Sequence, residues 1–142
     1  MGRTSVLVVE PDRVRRDEIA GWLETEGLDV LMCGGPEGPE YNCLGGRGED
    51  CPLAEVSDTV VLDMQLESDM VMCGAPGWML LLYYFDRGKQ IVALSGPEDS
   101  VHALDDEQVT VIPRTADRAT LVRAVAHTLN ANGGRDGEHL AR

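Results

Sequence analysis

The stretch Asp58-Thr-Val-Val-Leu-Asp-Met-Gln-Leu66 decides how the chain folds. Val60 to Leu62 is an unbroken apolar run that ends on a carboxylate at Asp63. A strand of a parallel sheet reads this way, because helices cover both faces and leave no polar side for alternation. The acid then stands at the carboxyl edge of the sheet, where open α/β folds bind their ligands. Two further runs end in polar groups: Val6-Leu-Val-Val-Glu-Pro-Asp12 in acids and Ile91-Val-Ala-Leu-Ser95 in a hydroxyl. Three strands with polar ends point to one shared site.

Working outward from that stretch, the flanking segments supply a strand and helix alternation. Residues Ser5 to Glu10 read as a first strand, and Asp12 is placed to cap the helix that follows. In that helix Ile19, Trp22 and Leu23 form an apolar stripe, and Gly27 stands just past its end. Leu28 to Cys33 is a second strand, so close behind the helix that a right-handed parallel crossover is expected. After strand three, Gly77 opens a helix with Trp78, Leu81, Leu82 and Phe85 at i, i+3, i+4 and i+7, ending at Gly88. Ile91 to Ser95 is strand four, a short helical piece is expected around Asp99 to Leu104, and Val109 to Ile112 is strand five. The last helix, about Arg118 to Leu129, puts Leu121, Val122, Val125 and Leu129 on one face. Asn132-Gly-Gly134 marks its expected end, leaving 1–130 as one domain and 131–142 as a flexible tail.

Two stretches break the pattern. From Gly34 to Val56 there are six glycines, three prolines and two cysteines without helical or alternating period. Glycine and proline at that density oppose a regular helix, so a long loop is expected where the second helix would stand. Met64 to Pro76 is a second irregular stretch.

Composition narrows the function classes. At 142 residues the chain fits one domain with a core of its own. Its 12 basic and 25 acidic residues give a formal charge of −13, which opposes nucleic-acid binding because phosphate neutralisation needs a basic patch. Acidic clusters suit a divalent cation or a basic partner instead. The apolar segment Trp78 to Phe85 is far below the roughly 20 residues needed to cross a bilayer. The amino terminus lacks a cleavage-like pattern, and Val6 stands where a myristoylation motif needs a hydroxyl. A cytoplasmic location without membrane attachment is the expectation.

The strand-end groups Glu10, Asp12, Asp63, Ser95 and Arg114 carry a resemblance. The pieces Val8-Val-Glu-Pro-Asp12, Val60-Val-Leu-Asp63, Ala93-Leu-Ser-Gly96 and Val111-Ile-Pro-Arg-Thr-Ala-Asp117 stand in the order and strand context of a receiver domain. Over roughly Ser5 to Leu129 the chain resembles the receiver domains of bacterial two-component response regulators. The resemblance implies a flavodoxin-like (βα)5 fold, a doubly wound five-stranded parallel sheet in the order 2-1-3-4-5. It also implies a stand-alone response regulator of phosphorelay signal transduction, a phosphoprotein that accepts a phosphoryl group on Asp63. Mg²⁺ would be held by Glu10, Asp12, Asp63 and the backbone carbonyl of Gln65. Ser95 and Arg114 would bind the phosphoryl oxygens and act as the switch. A histidine kinase or phosphotransfer protein would be the donor, a downstream protein the recipient, and a homodimer is left open.

The chain departs from that family in three places. Its second metal-ligating acid aligns with Pro11, its strand-five lysine with Arg114, and its aromatic switch with Val111. An ammonium and a guanidinium both bind phosphate, but the guanidinium is bulkier and forked.

Cys33, Cys43, Cys51 and Cys73 are the second informative set. In a parallel sheet all four fall in or beside segments near the carboxyl edge, so they could meet. Four thiolates suit Zn²⁺ or an iron–sulfur cluster. Their spacing matches no CxxC pair, and free thiols or a redox-sensitive pair such as Cys43 and Cys51 are the alternatives. Two functions are therefore carried forward. One is phosphorylation at Asp63; the other is a phosphorylation-independent interaction module whose 34–56 loop is ordered by a cysteine-bound metal or a disulfide. An enzyme is the least expected class, since no acid–base pair, nucleophile triad or cofactor fingerprint accompanies the strand ends.

Overall fold

A computed structural model describes residues 5–33, 51–64, 76–96 and 106–141. The described elements are β1 (Ser5–Val9), α1 (Arg13–Thr25), β2 (Asp29–Cys33), α2 (Pro52–Glu55), β3 (Thr59–Asp63), α3 (Pro76–Asp86), β4 (Gln90–Ser95), β5 (Val109–Pro113) and α4 (Arg118–Ala141). The strands form one parallel sheet in the order β2-β1-β3-β4-β5. This is the doubly wound (βα)5 architecture expected from the sequence.

Strand alternation splits the core into two layers. Leu7, Val9, Val60, Leu62, Ile91, Ala93 and Val109 face α2 and α3, where they meet Ala54, Leu80, Leu81, Tyr83 and Tyr84. Val6, Val8, Val61, Val92, Leu94 and Ile112 face α1 and α4, where they meet Ile19, Leu23, Leu121, Ala124 and Val125. Every residue of β3 and of β4 is buried, which is why those strands read as continuous apolar runs. Each fully buried Val, Leu or Ile contributes roughly 1.5 to 3 kcal/mol by leaving water.

The helix ends follow local chemistry. Asp12 caps α1: its Oδ1 accepts from the N–H groups of Val14 at 2.9 Å and Arg15 at 3.2 Å. Asp117 does the same for α4, accepting from Thr120 N–H at 2.9 Å, and this bond holds its carboxyl below the ordinary value. After α1 and α3 the chain turns at Gly27 (φ 85°) and Gly88 (φ 74°), left-handed positions that suit glycine. The next residues, Leu28 and Lys89, donate back to the carbonyls of Leu23 and Tyr84 and complete the caps.

Three sequence expectations change. Within the 34–56 stretch, Pro52–Glu55 is a single helical turn with proline at its first position, which the missing N–H permits. The loop expected over the rest of that stretch, residues 34–50, lies outside the described residues, as does the helical piece expected at 99–104. In α3, Leu82 is 55% exposed, whereas Leu80, Leu81, Tyr83 and Tyr84 are buried. The run Met79 to Phe85 has no charged residue to fix its rotational phase. The tyrosines fix it instead by burying their rings, and the Tyr83 hydroxyl accepts a hydrogen bond from Cys51 N–H at 2.9 Å. Finally, α4 continues past Leu129 and through Asn132-Gly-Gly134 to Ala141, covering the segment expected as a tail. Glycine weakens a helix by roughly 1 kcal/mol but keeps its N–H, so it does not force an end as proline does.

Candidate functional site

The carboxyl edge of the sheet is built from four strand ends. Val9 of β1 is registered with Leu62 of β3, and Asp63 with Leu94 of β4. Glu10, one residue past β1, therefore comes beside Asp63, the last residue of β3. Leu94 is registered in turn with Ile112 of β5, and Ser95 with Pro113. Arg114, one residue past β5, is in phase with Ile112 and must reach across the end of β4 to meet Asp63.

It does so with both arms. Arg114 Nε donates to Asp63 Oδ1 at 3.1 Å and Nη2 donates to Oδ2 at 3.0 Å. Asp63 is 1% exposed, whereas the Arg114 side chain is 39% exposed, so the guanidinium lies over the carboxylate as a cover. This two-point geometry is available to arginine and not to lysine.

Glu10 is the second buried acid, 4% exposed. Burial pushes its carboxyl up to about 7, and the hydrogen bond and negative charge of Asp63 push in the same direction. The N–H of Asp12, 3.3 Å from Glu10 Oε2, and the charge of Arg114 oppose the rise. Below that value Glu10 carries a proton. The buried set Glu10, Asp63 and Arg114 is then close to neutral.

The remaining expected residues are placed as follows. Asp12 is exposed and its Oδ1 is engaged in capping α1. Ser95, the last residue of β4, is buried at the same edge of the sheet. Its Oγ donates to the carbonyl of Gly96 at 2.9 Å, and its own carbonyl accepts from Arg114 N–H at 3.1 Å. Gln65, Cys43 and Cys73 lie outside the described residues. Cys33, the last residue of β2, and Cys51, the cap of α2, are half-buried against the layer under α2 and α3. The Cys33 carbonyl accepts from Glu10 N–H at 3.0 Å, tying β2 to the acid site.

Two residues at the site escape a reading of spacing alone. Arg16 Nη1 donates to the carbonyl of Glu10 at 2.8 Å, and Arg15 Nη2 donates to the carbonyls of Arg114 and Ala116 at 2.9 and 2.8 Å. The cluster Arg13-Val-Arg-Arg16 behind a capping acid was the available signal, but the partners of Arg15 lie about a hundred residues away in sequence.

Among the described residues, Glu10 and Asp63 are two carboxylates placed together where a divalent cation could be held. Among the described residues no three His, Cys, Asp or Glu side chains converge as metal ligands. Pro11 offers no side-chain oxygen, and Asp12 Oδ1 is engaged in the helix cap. Glu10 and Asp63 nevertheless bring two carboxyls together at the cost in proton affinity seen at Glu10, and a cation would relieve that repulsion. Mg²⁺ is often bound by one or two carboxylates with water completing its shell.

Comparisons of sequence and of structure give different reach. No protein-family model matches the chain, and no curated protein sequence matches it. Among solved structures it is similar to a CheY-like response regulator receiver domain from Methanospirillum hungatei JF-1. That likeness has a TM-score of 0.67 at 17% identity and covers 94% of this chain and 99% of that one. A receiver domain from Clostridium thermocellum gives 0.66 at 18% identity over 92% and 97%, and the receiver domain of the hybrid histidine kinase CckA gives 0.56 at 24% over 88% and 98%. With the sheet order and the acid edge already in place, these likenesses make the fold that of the response regulator receiver domains.

Proposed function

We propose that the chain is a receiver-type module of cytoplasmic two-component signal transduction, in which Asp63 accepts a phosphoryl group and a protein partner reads the result. The observation that carries this reading is the convergence of Glu10, Asp63 and Arg114 at one edge, with a guanidinium already seated on the acceptor carboxylate. In the step itself, an Asp63 oxygen attacks the phosphorus of a phosphohistidine or small phosphodonor. The new P–O bond forms as the P–N or P–O bond of the donor breaks, and the departing imidazole takes up a proton from solvent. The product is an acyl phosphate on Asp63.

Arg114 has to release one carboxylate oxygen for the attack, and its freed arm then neutralises a phosphoryl oxygen. Glu10, deprotonated, and Asp63 would hold Mg²⁺, which when bound supplies positive charge against the transferring group. The face around Ser95 and β5 is the part that would respond, because the Arg114 peptide is bonded to the Ser95 carbonyl. Incubation with acetyl phosphate and Mg²⁺, followed by intact-protein mass measurement, should add one phosphoryl mass that Asp63→Asn abolishes. No added mass at saturating donor would remove this reading.

A second reading is favoured by the same fork. With both Asp63 oxygens held by Arg114, Pro11 in place of an acid and Asp12 turned to the α1 cap, the site can also serve as a fixed ionic joint. The chain would then be a phosphorylation-independent interaction module. Cysteine chemistry in the 34–56 loop belongs to that alternative, and metal analysis with a thiol count on purified protein tests it.

A further inference from the structure

Arg15 stands in the first turn of α1, where the helix dipole disfavours a cation, so its position there has to be compensated by specific bonds. They are present. Nη1 donates to Glu18 Oε1 at 2.7 Å, and Nη2 donates to the carbonyls of Arg114 and Ala116 at 2.9 and 2.8 Å. The guanidinium also lies 5.3 Å from the centre of the Trp22 ring. One planar group thus binds two carbonyls of the turn between β5 and α4 while it is fixed from behind by two residues of its own helix. The peptide it grips belongs to the residue whose side chain forks onto Asp63.

We infer that Arg15 is the positioning residue of the candidate site, holding the Arg114 peptide so that the Arg114 guanidinium meets both oxygens of Asp63. The chain of contacts runs Glu18, Arg15, the Arg114 carbonyl, the Arg114 guanidinium, Asp63. An arginine suits the position because Nη2 reaches both carbonyls while Nη1, on the other arm of the fork, keeps Glu18; a lysine ammonium has the charge without the spread. The inference rests on the Arg114 to Asp63 contact and not on phosphoryl acceptance, so it stands or falls separately from the function proposed above.

The test reads that contact directly in the full chain without a phosphodonor. The side-chain Nε–H of Arg114, assigned by its loss in Arg114→Lys, should exchange slowly with water in the native protein. Arg15→Lys should speed that exchange by about tenfold, the order expected from losing a hydrogen bond to a charged group. The increase should exceed that of the core amides of Val61 and Val92, while Arg118→Lys, at an exposed ion pair with Glu26, should leave it unchanged. If Arg15→Lys lowers thermal stability but the Nε–H exchange changes no more than the core amides, Arg15 is only a staple between α1 and the turn, and the inference is overturned. A fast-exchanging Nε–H in the native protein overturns it too. Should Arg15→Lys fail to fold, Glu18→Gln loosens the same guanidinium from behind. A smaller acceleration, about two- to threefold, supports the inference, and an unchanged rate overturns it.

Discussion

The two ends of β3 are both buried and both polar, yet they do opposite things. At the amino end Thr59 is fully buried, and its hydroxyl lies 3.0 Å from that of Thr128, which also reaches the Val125 carbonyl at 2.7 Å. Neutral hydroxyls satisfy one another there without titrating. At the carboxyl end Asp63 is just as buried, but it is balanced by a half-exposed arginine on one side and a second carboxyl on the other. One end closes its hydrogen bonds within the core; the other depends on ionic partners that solvent, protons or a phosphoryl group can change. Burial alone therefore does not mark a site, and the kind of compensation does.

Removing the ionic partner of Asp63 should have the largest effect. Arg114→Met should lower stability by about 2 kcal/mol in urea unfolding at pH 7.5, because it strands a buried carboxylate; the arginine's exposure keeps the loss below that of a fully buried pair. A change under about 0.5 kcal/mol would show that Asp63 finds other compensation. Thr128→Val comes next, at about 1 to 1.5 kcal/mol, since it leaves the Thr59 hydroxyl without its partner. That loss should be the same at pH 5 and pH 8, as no charge is involved.

Glu10 sharpens the contrast through pH. Its carboxyl is raised from 4.5 to about 7 in the folded chain, so between those values the folded state binds the extra proton. The associated stability is present below about pH 4.5 and is lost as pH rises to about 7, the reverse of a salt-bridged carboxylate. Glu10→Gln should remove this slope and raise stability at pH 8 by on the order of 1 kcal/mol, after allowance for solvent screening. Unfolding curves collected from pH 4 to pH 8 check both points. The smallest effect is expected away from both ends of β3: Leu82→Lys on the exposed side of α3 should change stability by less than about 0.5 kcal/mol. A larger loss would mean that this face is covered.

Much of the fold was readable because buried parallel strands and capped helices leave direct marks. Val60 to Asp63 announced both a central strand and its acid end, and Asp12 and Gly27 bracketed α1 to within a residue. The meeting of residues 10, 63 and 114 also followed from strand ends in a parallel sheet. Other features left no such mark. The α3 run from Met79 to Phe85 is apolar all round, so periodicity could not say that Tyr83 and Tyr84 face inward and Leu82 outward. The Asn132-Gly-Gly134 segment looked like an ending, but glycine only weakens a helix. Asp12 reads as a helix cap and as a metal ligand alike, and spacing could not reveal that its Oδ1 accepts from two backbone donors.

The order of apolar runs and polar strand ends was enough to determine a parallel α/β sheet and the edge at which its acids gather, because both depend on local pattern and chain direction. Tertiary structure alone decided how those acids are compensated. The two-armed hold of Arg114 on Asp63, the proton favoured at Glu10 and the grip of Arg15 on a turn a hundred residues away depend on distances between chain segments. Electrostatic energies in a low-dielectric edge vary with those distances, and a one-dimensional pattern does not contain them.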